Sequence, residues 1–365
     1  MLQKVYKMED YLLMKKNICV IAICILIIVP LGAWWINSKS IGQLYDQNFI
    51  SMDTLMQLSA YGSNAKNAVD ESEKKVQELN DRASPNIATS DVSKINNAAG
   101  KSYVKVHPEI IKMLVASQKY SKISNGVWDI TVGPLVNLWG IGTTNANKPS
   151  DVKIKTKLPL VGYNKIHINE RNNSVMLMQK GMAIDLGGIA KGFAADEVLN
   201  IYKKYNIKNG LINLGSSSIY GIGKNGKGNL WAVGIKHPRS DEADNYLGVI
   251  KITNQGISTS GDYQRFFIQN GKRYHHILNP YTGYPVDNGV MSVTVVVDGS
   301  VPNNGMLADI LSLTVFGLGP EKGINLINSI PKVSCIVTTT DFKVYTSSGF
   351  KSKFSDLNKD FKFAN

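Results

Sequence analysis

Residues 183–193 read AIDLGGIAKGF. Residues 183–186 have the composition of a short strand. The Gly187-Gly188 pair makes a turn, and a helix is predicted from about Ile189 to Tyr205. Ala190, Ala194, Val198, Ile201, Tyr202 and Tyr205 recur there at helical spacing. Asn209-Gly210 closes the unit. A helix that starts directly after a glycine pair presents unpaired backbone N–H groups, which attract phosphate. Glycines also let a ligand approach the backbone closely. Lys191, in the first turn, adds a positive charge. The bland reading is a plain strand–turn–helix with a surface lysine. The spacing is neither GxGxxG nor GxxxxGK[ST], so neither nucleotide fingerprint applies.

The surrounding chain has the same mixed character. Residues 50–58 are apolar enough for a first strand. Residues 63–79 carry Ala65, Ala68, Val69, Val76 and Leu79 on one side of a helix. A polar loop with Pro85 follows at 81–89. A second helix is predicted from near Pro108 to Asn125-Gly126. Further strands are predicted at 211–214, 230–235, 247–252, 264–269 and 292–297, separated by turn residues. Residues 307–317 read as another helix, and 334–339 with 343–346 as a closing hairpin. Hairpins interspersed with helices indicate an α+β domain with largely antiparallel sheet.

Composition narrows the class. The 365 residues are 43% hydrophobic and 19% charged, which excludes a disordered tail and a polytopic membrane protein. Three cysteines, Cys19, Cys24 and Cys335, exclude a disulfide-rich scaffold and lack zinc-site spacing. The net charge is +13, but the basic residues are scattered, with no basic block or nucleic-acid motif. A diffuse basic surface suits an anionic substrate or membrane face, so no nucleic-acid partner is expected.

Residues 18–36 read ICVIAICILIIVPLGAWWI, an uncharged run long enough for one membrane helix. Lys4, Lys7, Lys15 and Lys16 precede it, so the positive-inside rule puts the N-terminus in the cytoplasm. A cleaved signal peptide needs small residues in an A-x-A-like pattern, and WWINSKS offers none. The expected layout is a cytoplasmic segment 1–16, a transmembrane anchor 17–36, a linker 37–45 and an extracytoplasmic domain 46–365.

Two further stretches carry chemistry. Residues 258–285 hold the pair His275-His276, and adjacent strand residues face opposite ways. One histidine can therefore serve as a general base while the other packs. Residues 280–283 read as a tight turn that fixes the end of this strand. In ADILSLT, residues 308–314, Asp309 begins an apolar helix. It reads either as an N-cap or as a Mg²⁺ ligand.

Taken in order, DLGGIAKG, SGDYxRFF, HILNPYTGYP and ADxLS resemble the ApbE-type FAD:protein FMN transferases. MDT at 52–54, YGxxA at 61–65 and GVWDITVGPL at 126–135 extend the resemblance over nearly all of residues 46–350. It implies an ApbE, T-fold-like domain. It also implies Mg²⁺-dependent transfer of FMN from FAD, the substrate, to a threonine of exported or membrane target proteins, with release of AMP. By motif position, Asp185 and Lys191 would contact FAD. Met52, Val127, Trp128 and Asp129 would line the nucleotide pocket, and Ile277 or Leu278 would touch the cofactor. The metal would take the Gly188 carbonyl, the Asp309 carboxylate and the Ser312 backbone, with Leu313 at the fourth position. His276 would be the base.

Two departures stand out. Leu313 occupies the position where the family usually has threonine, so a hydroxyl ligand is missing. Residues 84–86 lack the tyrosine expected against the nucleotide. Two other readings use the same residues: an FAD pyrophosphatase, with water in place of threonine, and a non-catalytic FAD-binding protein.

Overall fold

Among the described residues, nine strands make the main sheet, in the spatial order Leu44–Ser51, Thr54–Tyr61, Gly210–Leu214, Ser218–Ile222, Gln255–Gly261, Val290–Asp298, Val333–Thr339, Lys343–Thr346 and Lys362–Phe363. Every neighbouring pair is antiparallel except the last, Lys343–Thr346 with Lys362–Phe363. The computed structural model describes residues 41–242 and 244–364. The apolar run 17–36 lies outside these residues. Among the described residues, no helix is long and apolar enough to cross a membrane. The sheet begins at Leu44, two residues before the expected domain start.

Among the described residues, helices pack on this sheet and build its core, including Pro320–Asn328, whose Ile324 and Ile327 lie with Val333 and Val337. Ala65–Ala83 and Ala190–Lys204 bury Ala68, Val69, Val76, Phe193, Ala194, Val198 and Tyr202 against Met56, Leu58 and Ile212. Asn304–Leu318 buries Leu307, Leu311, Val315 and Phe316 against Val293, Val295 and Val297. Val290–Asp298 is buried on both faces, which explains its near-continuous apolar sequence. Its other side meets a second layer, where Ile235, Leu247, Ile250 and Ile252 join Met291 and Val296. A satellite cluster centres on Trp139, with Tyr274, Leu135 and Ile154.

The α+β architecture matches the sequence reading, and three local expectations are corrected. Residues 50–58 are not one strand: the chain turns at Met52 and Asp53, both with positive φ (48° and 59°), in a two-residue hairpin. Residues 183–186 form no strand. They run extended, held by the Asp185 N–H donating to the Ile130 carbonyl at 2.8 Å. Asn96 clamps Ile184 on both its N–H (2.8 Å) and its carbonyl (3.1 Å). Asp309 does not start its helix. The helix begins at Asn304, so Asp309 lies in its second turn and does not cap it.

Candidate active site

The site is built where two helices cross at their glycines. A Cβ on Gly192 would lie 2.2 Å from the Gly305 carbonyl oxygen, and one on Gly305 would lie 2.5 Å from that of Gly192. Only glycine permits this approach. It brings the start of Ala190–Lys204 against the Asp309 turn. There the Gly192 N–H donates to Asp309 Oδ2 at 2.6 Å. A continuing helix would direct that N–H to the Gly188 carbonyl. Its diversion leaves the Gly188 carbonyl oxygen for another partner. It also means that part of the anion-attracting helix start is already occupied by a carboxylate.

Asp309 Oδ1 accepts from Ser218 Oγ at 2.7 Å. Burial pushes the Asp309 carboxyl up, opposed by the charge of Lys191 and by hydrogen bonds from Ser218, Ser258 and Gly192. Three donors thus take three of the roughly four lone-pair sites of the carboxylate, and about one is left for a cation. Ser312 bonds Ser260 Oγ at 2.7 Å and donates to the Asp309 carbonyl at 2.9 Å. Ser258 and Ser260 share a face of Gln255–Gly261, and Ser218 pairs with Ser258 on the next strand. A floor of hydroxyls therefore lies under Asp309 and Ser312.

Leu313 turns its side chain to the glycine pair: a Cβ on Gly188 would sit 2.5 Å from Leu313 Cδ1 and 3.1 Å from the Trp128 ring. A methyl group therefore faces the glycine pair at this position. Among the described residues, no three His, Cys, Asp or Glu side chains gather into a metal cage. The oxygen donors here are the Asp309 carboxylate and backbone carbonyls, which suit a hard cation that keeps waters or takes phosphate oxygens.

Lys191 reaches Ser217 Oγ with its Nζ. Burial lowers its pKa, with Asp309 pulling the other way and Arg265 lowering it further. Asp185 accepts the Gly187 N–H at 2.7 Å, which shapes the glycine turn, and burial raises its pKa. Arg265 also acts on Asp185, opposing that rise.

The histidines divide their work. His275 ends the strand Lys272–His275 and is buried. Its Nε2 bonds the Val286 carbonyl at 2.9 Å and its Nδ1 accepts from the Ile277 N–H at 3.3 Å. It also meets the Phe316 ring edge-on at 5.5 Å. Both nitrogens are spent on the fold. His276 lies just past the strand and is half-buried. Its N–H donates to the Arg265 carbonyl at 3.1 Å, and Nδ1 lies 3.3 Å from the same oxygen. That contact sets Nδ1 as the N–H nitrogen and leaves the Nε2 lone pair free. Its pKa is pushed down to about 4, first by burial and then by His275, Arg265 and Lys191, against the raising effect of the Arg265 carbonyl. The imidazole is neutral at physiological pH.

The turn after His276 is anchored as its sequence indicates. Asn279 Oδ1 accepts from Tyr281 N–H (2.8 Å) and Thr282 N–H (3.2 Å), and Trp139 Nε1 donates to the Gly283 carbonyl at 2.8 Å. Tyr281 reaches the Asn125 carbonyl, which joins this turn to the loop of Val127, Trp128 and Asp129. Ile277 packs with the Asn304–Leu318 core and Leu278 with the Trp139 cluster.

The remaining expected pocket residues are placed as follows. Asp129 caps a short 3-10 turn through Thr131 N–H (2.8 Å) and takes Tyr163 N–H at 2.8 Å, so its carboxylate shapes the loop. Trp128 is buried against Gly188, and its Nε1 has no acceptor among the described residues. Val127 packs on Gly317. Met52 sits at the hairpin tip, its N–H donating to Asn80 Oδ1 at 3.3 Å. Thr54 abuts Gly215, two residues before the Ser217 that holds Lys191. Sequence reasoning missed Ser217, Ser218, Ser258, Ser260, Asn96 and Asp196. Only the alternating serines of STS at 258–260 carried a signal, a period of two.

The fold is an ApbE-like α+β fold. It superposes on the crystal structure of the ApbE protein from Thermotoga maritima with a TM-score of 0.77, at 28% identity, over 86% of this chain and 100% of that one. Against the flavin transferase ApbE from Vibrio cholerae the TM-score is 0.75 at 27% identity, covering 85% and 99%. The chain belongs to the ApbE family, which it matches over residues 52–337. A relative from Klebsiella pneumoniae, an FAD:protein FMN transferase, is 34% identical over 79% of this chain and 87% of its own length.

Proposed function

We propose that this chain is an FAD:protein FMN transferase, moving FMN from FAD to a threonine hydroxyl of exported or membrane target proteins. The observation that carries the reading is the gathering of a neutral His276, a buried Asp309 and a partly buried Lys191 beside the Gly187-Gly188 turn.

The chemistry follows from these residues. His276 Nε2 takes the proton as the threonine oxygen bonds the FMN-side phosphorus. The bridging P–O bond breaks and AMP departs with its electron pair. Lys191 offsets charge on the pyrophosphate, and a preorganised cation in a water-poor site is worth more than one in bulk water. Asp309 and the Gly188 carbonyl fit Mg²⁺, with FAD phosphate oxygens or water filling the position that Leu313 leaves without oxygen. Bound there, Mg²⁺ would neutralise phosphate charge. Trp128, Met52 and Val127 would border the nucleotide, with Asp129 shaping that wall. In the same proposal, residues 17–36 anchor the chain and place the domain on the extracytoplasmic side. The support for this is the uncharged run and its preceding lysines.

The test is incubation of the full chain with FAD, Mg²⁺ and a threonine-bearing exported target. A covalent gain of FMN on the target is expected. Free FMN and AMP alone would identify a pyrophosphatase, and unchanged FAD a binding protein.

A further inference from the structure

Among the described residues, the exposed Arg265 guanidinium makes no hydrogen bond and no close ion pair. Arg239 is held in a fork by Asp262 at 2.7 and 2.6 Å, Arg82 by Glu109, and Arg273 lies over the Phe266 ring. The Arg265 guanidinium has no carboxylate, carbonyl or ring of its own among the described residues, although its backbone is fixed. Its carbonyl takes both the N–H and Nδ1 of His276. Its stem lies on Gly142, whose φ is +91° and on which a Cβ would sit 3.2 Å from Arg265 Cδ. The charge of Arg265 acts on Asp185, Lys191 and His276, which come from two segments distant in sequence. An arginine so placed, beside Lys191 and a general base, has its fork open to phosphate oxygens, with the Asp185 carboxylate within reach of its charge but not hydrogen-bonded to it.

We propose that Arg265 is a catalytic residue whose guanidinium binds a pyrophosphate oxygen of the nucleotide, opposite Lys191, and stabilises the charge that builds there during transfer. This rests on the reading of the site as an FMN transferase. It adds a second side-chain cation to the phosphate site and makes one residue serve two purposes. The Arg265 backbone orients the base, and its side chain holds the group that the base's substrate attacks. Nucleophile and phosphorus are thereby positioned from one point of the hairpin. A planar fork suits two phosphate oxygens at once, which Lys191 cannot do.

The experiment compares the full chain with Arg265→Ala, Arg265→Gln and Arg265→Lys. All three keep the backbone carbonyl that holds His276. FAD affinity is read by flavin fluorescence without target protein, transfer by mass gain of the target, and fold by thermal melting. Arg265→Ala and Arg265→Gln are expected to weaken FAD binding about tenfold or more and to lower kcat by about 10²–10³, with unchanged melting. Arg265→Lys should recover part of the affinity. Millimolar guanidinium should restore part of the turnover of Arg265→Ala, which a merely structural side chain would not do. If Arg265→Ala proves unstable, Arg265→Gln, with a comparable stem, decides. Gln with wild-type FAD affinity and kcat overturns the proposal, as does a Lys variant no better than Gln together with absent guanidinium rescue. The affinity ratio reads Arg265 without turnover, so a wild-type chain that binds FAD but transfers nothing would overturn the transferase reading separately.

Discussion

Asp309 and Asp196 each cap the helix that carries the other. Asp309, on Asn304–Leu318, accepts the Gly192 N–H in the first turn of Ala190–Lys204. Asp196, on Ala190–Lys204, accepts the Gly305 and Met306 N–H groups at 2.8 Å each in the first turn of Asn304–Leu318. Both carboxylates are buried, and burial pushes Asp196 up to about 7, with the Asp309 charge adding to the rise. The two helix dipoles favour the anions. The crossing that positions the site is thus held by reciprocal carboxylate–N–H hydrogen bonds as well as by packing.

The crossing depends on glycine. Gly192→Ala would drive a methyl into the Gly305 backbone, where no flexible side chain can yield. A loss of about 3 kcal/mol or more is expected, read by urea unfolding. An alanine variant of wild-type stability would mean that the helices can separate freely.

Asp309→Asn separates the ligand role from the structural one. Asp309 lies inside its helix, so N-capping of that helix does not explain it. Asparagine can still accept from one of Gly192 and Ser218 but brings no charge to a cation. FMN transfer should fall at least about 100-fold, while stability changes by less than about 2 kcal/mol, because the lost charged hydrogen bond is offset by one less buried charge. Activity within a few-fold of wild type would remove Asp309 from the phosphate chemistry.

Leu313→Thr tests the departure from the family pattern. Leu313 packs on Gly188 and on both neighbouring core clusters. The exchange should cost about 1–2 kcal/mol in packing. It should also lower the Mg²⁺ concentration needed for half-maximal transfer, since a hydroxyl would then stand beside the Gly188 carbonyl. An unchanged Mg²⁺ dependence would show that the position does not face the metal.

Much of this was legible in the sequence, for specific reasons. The helix after Gly187-Gly188 was legible because Ala190, Ala194 and Val198 keep a 3.6-residue period. The turn at 280–283 was legible because Asn279, Pro280 and Gly283 have turn chemistry. The hairpin at Met52-Asp53 was not, because its residues are not the Asn-Gly or Gly pairs that such turns favour. The missing strand at 183–186 reflects a segment held by side chains, Asn96 above all, which leave no local pattern. Asp196 was hidden because its partners lie 109 and 110 residues away. The site residues came together from ordered motifs. The hydroxyl floor and the unpartnered Arg265 needed coordinates.

The histidine pair gives the most discriminating test. His275 spends both nitrogens on Val286 and Ile277 and meets Phe316 edge-on. His275→Ala should therefore destabilise the domain by about 2–4 kcal/mol through a cavity and unpaired backbone groups. Any loss of transfer should follow the loss of fold. His276→Ala should leave melting nearly unchanged and FAD binding within about threefold, because phosphate charge is offset elsewhere. Transfer should fall by about 10²–10⁴. The pH dependence adds a second reading. A base whose pKa is depressed to about 4 stays competent at pH 5–6, where an ordinary histidine is already protonating. The acid limb of kcat/KM, which reports the free enzyme, should thus lie near pH 4. Of the groups facing His276, Lys191 and Arg265 both lower its pKa, so Lys191→Met should move that limb to higher pH. An acid limb near 6.5 in the wild-type chain, or one that ignores Lys191, would mean that another group deprotonates the threonine.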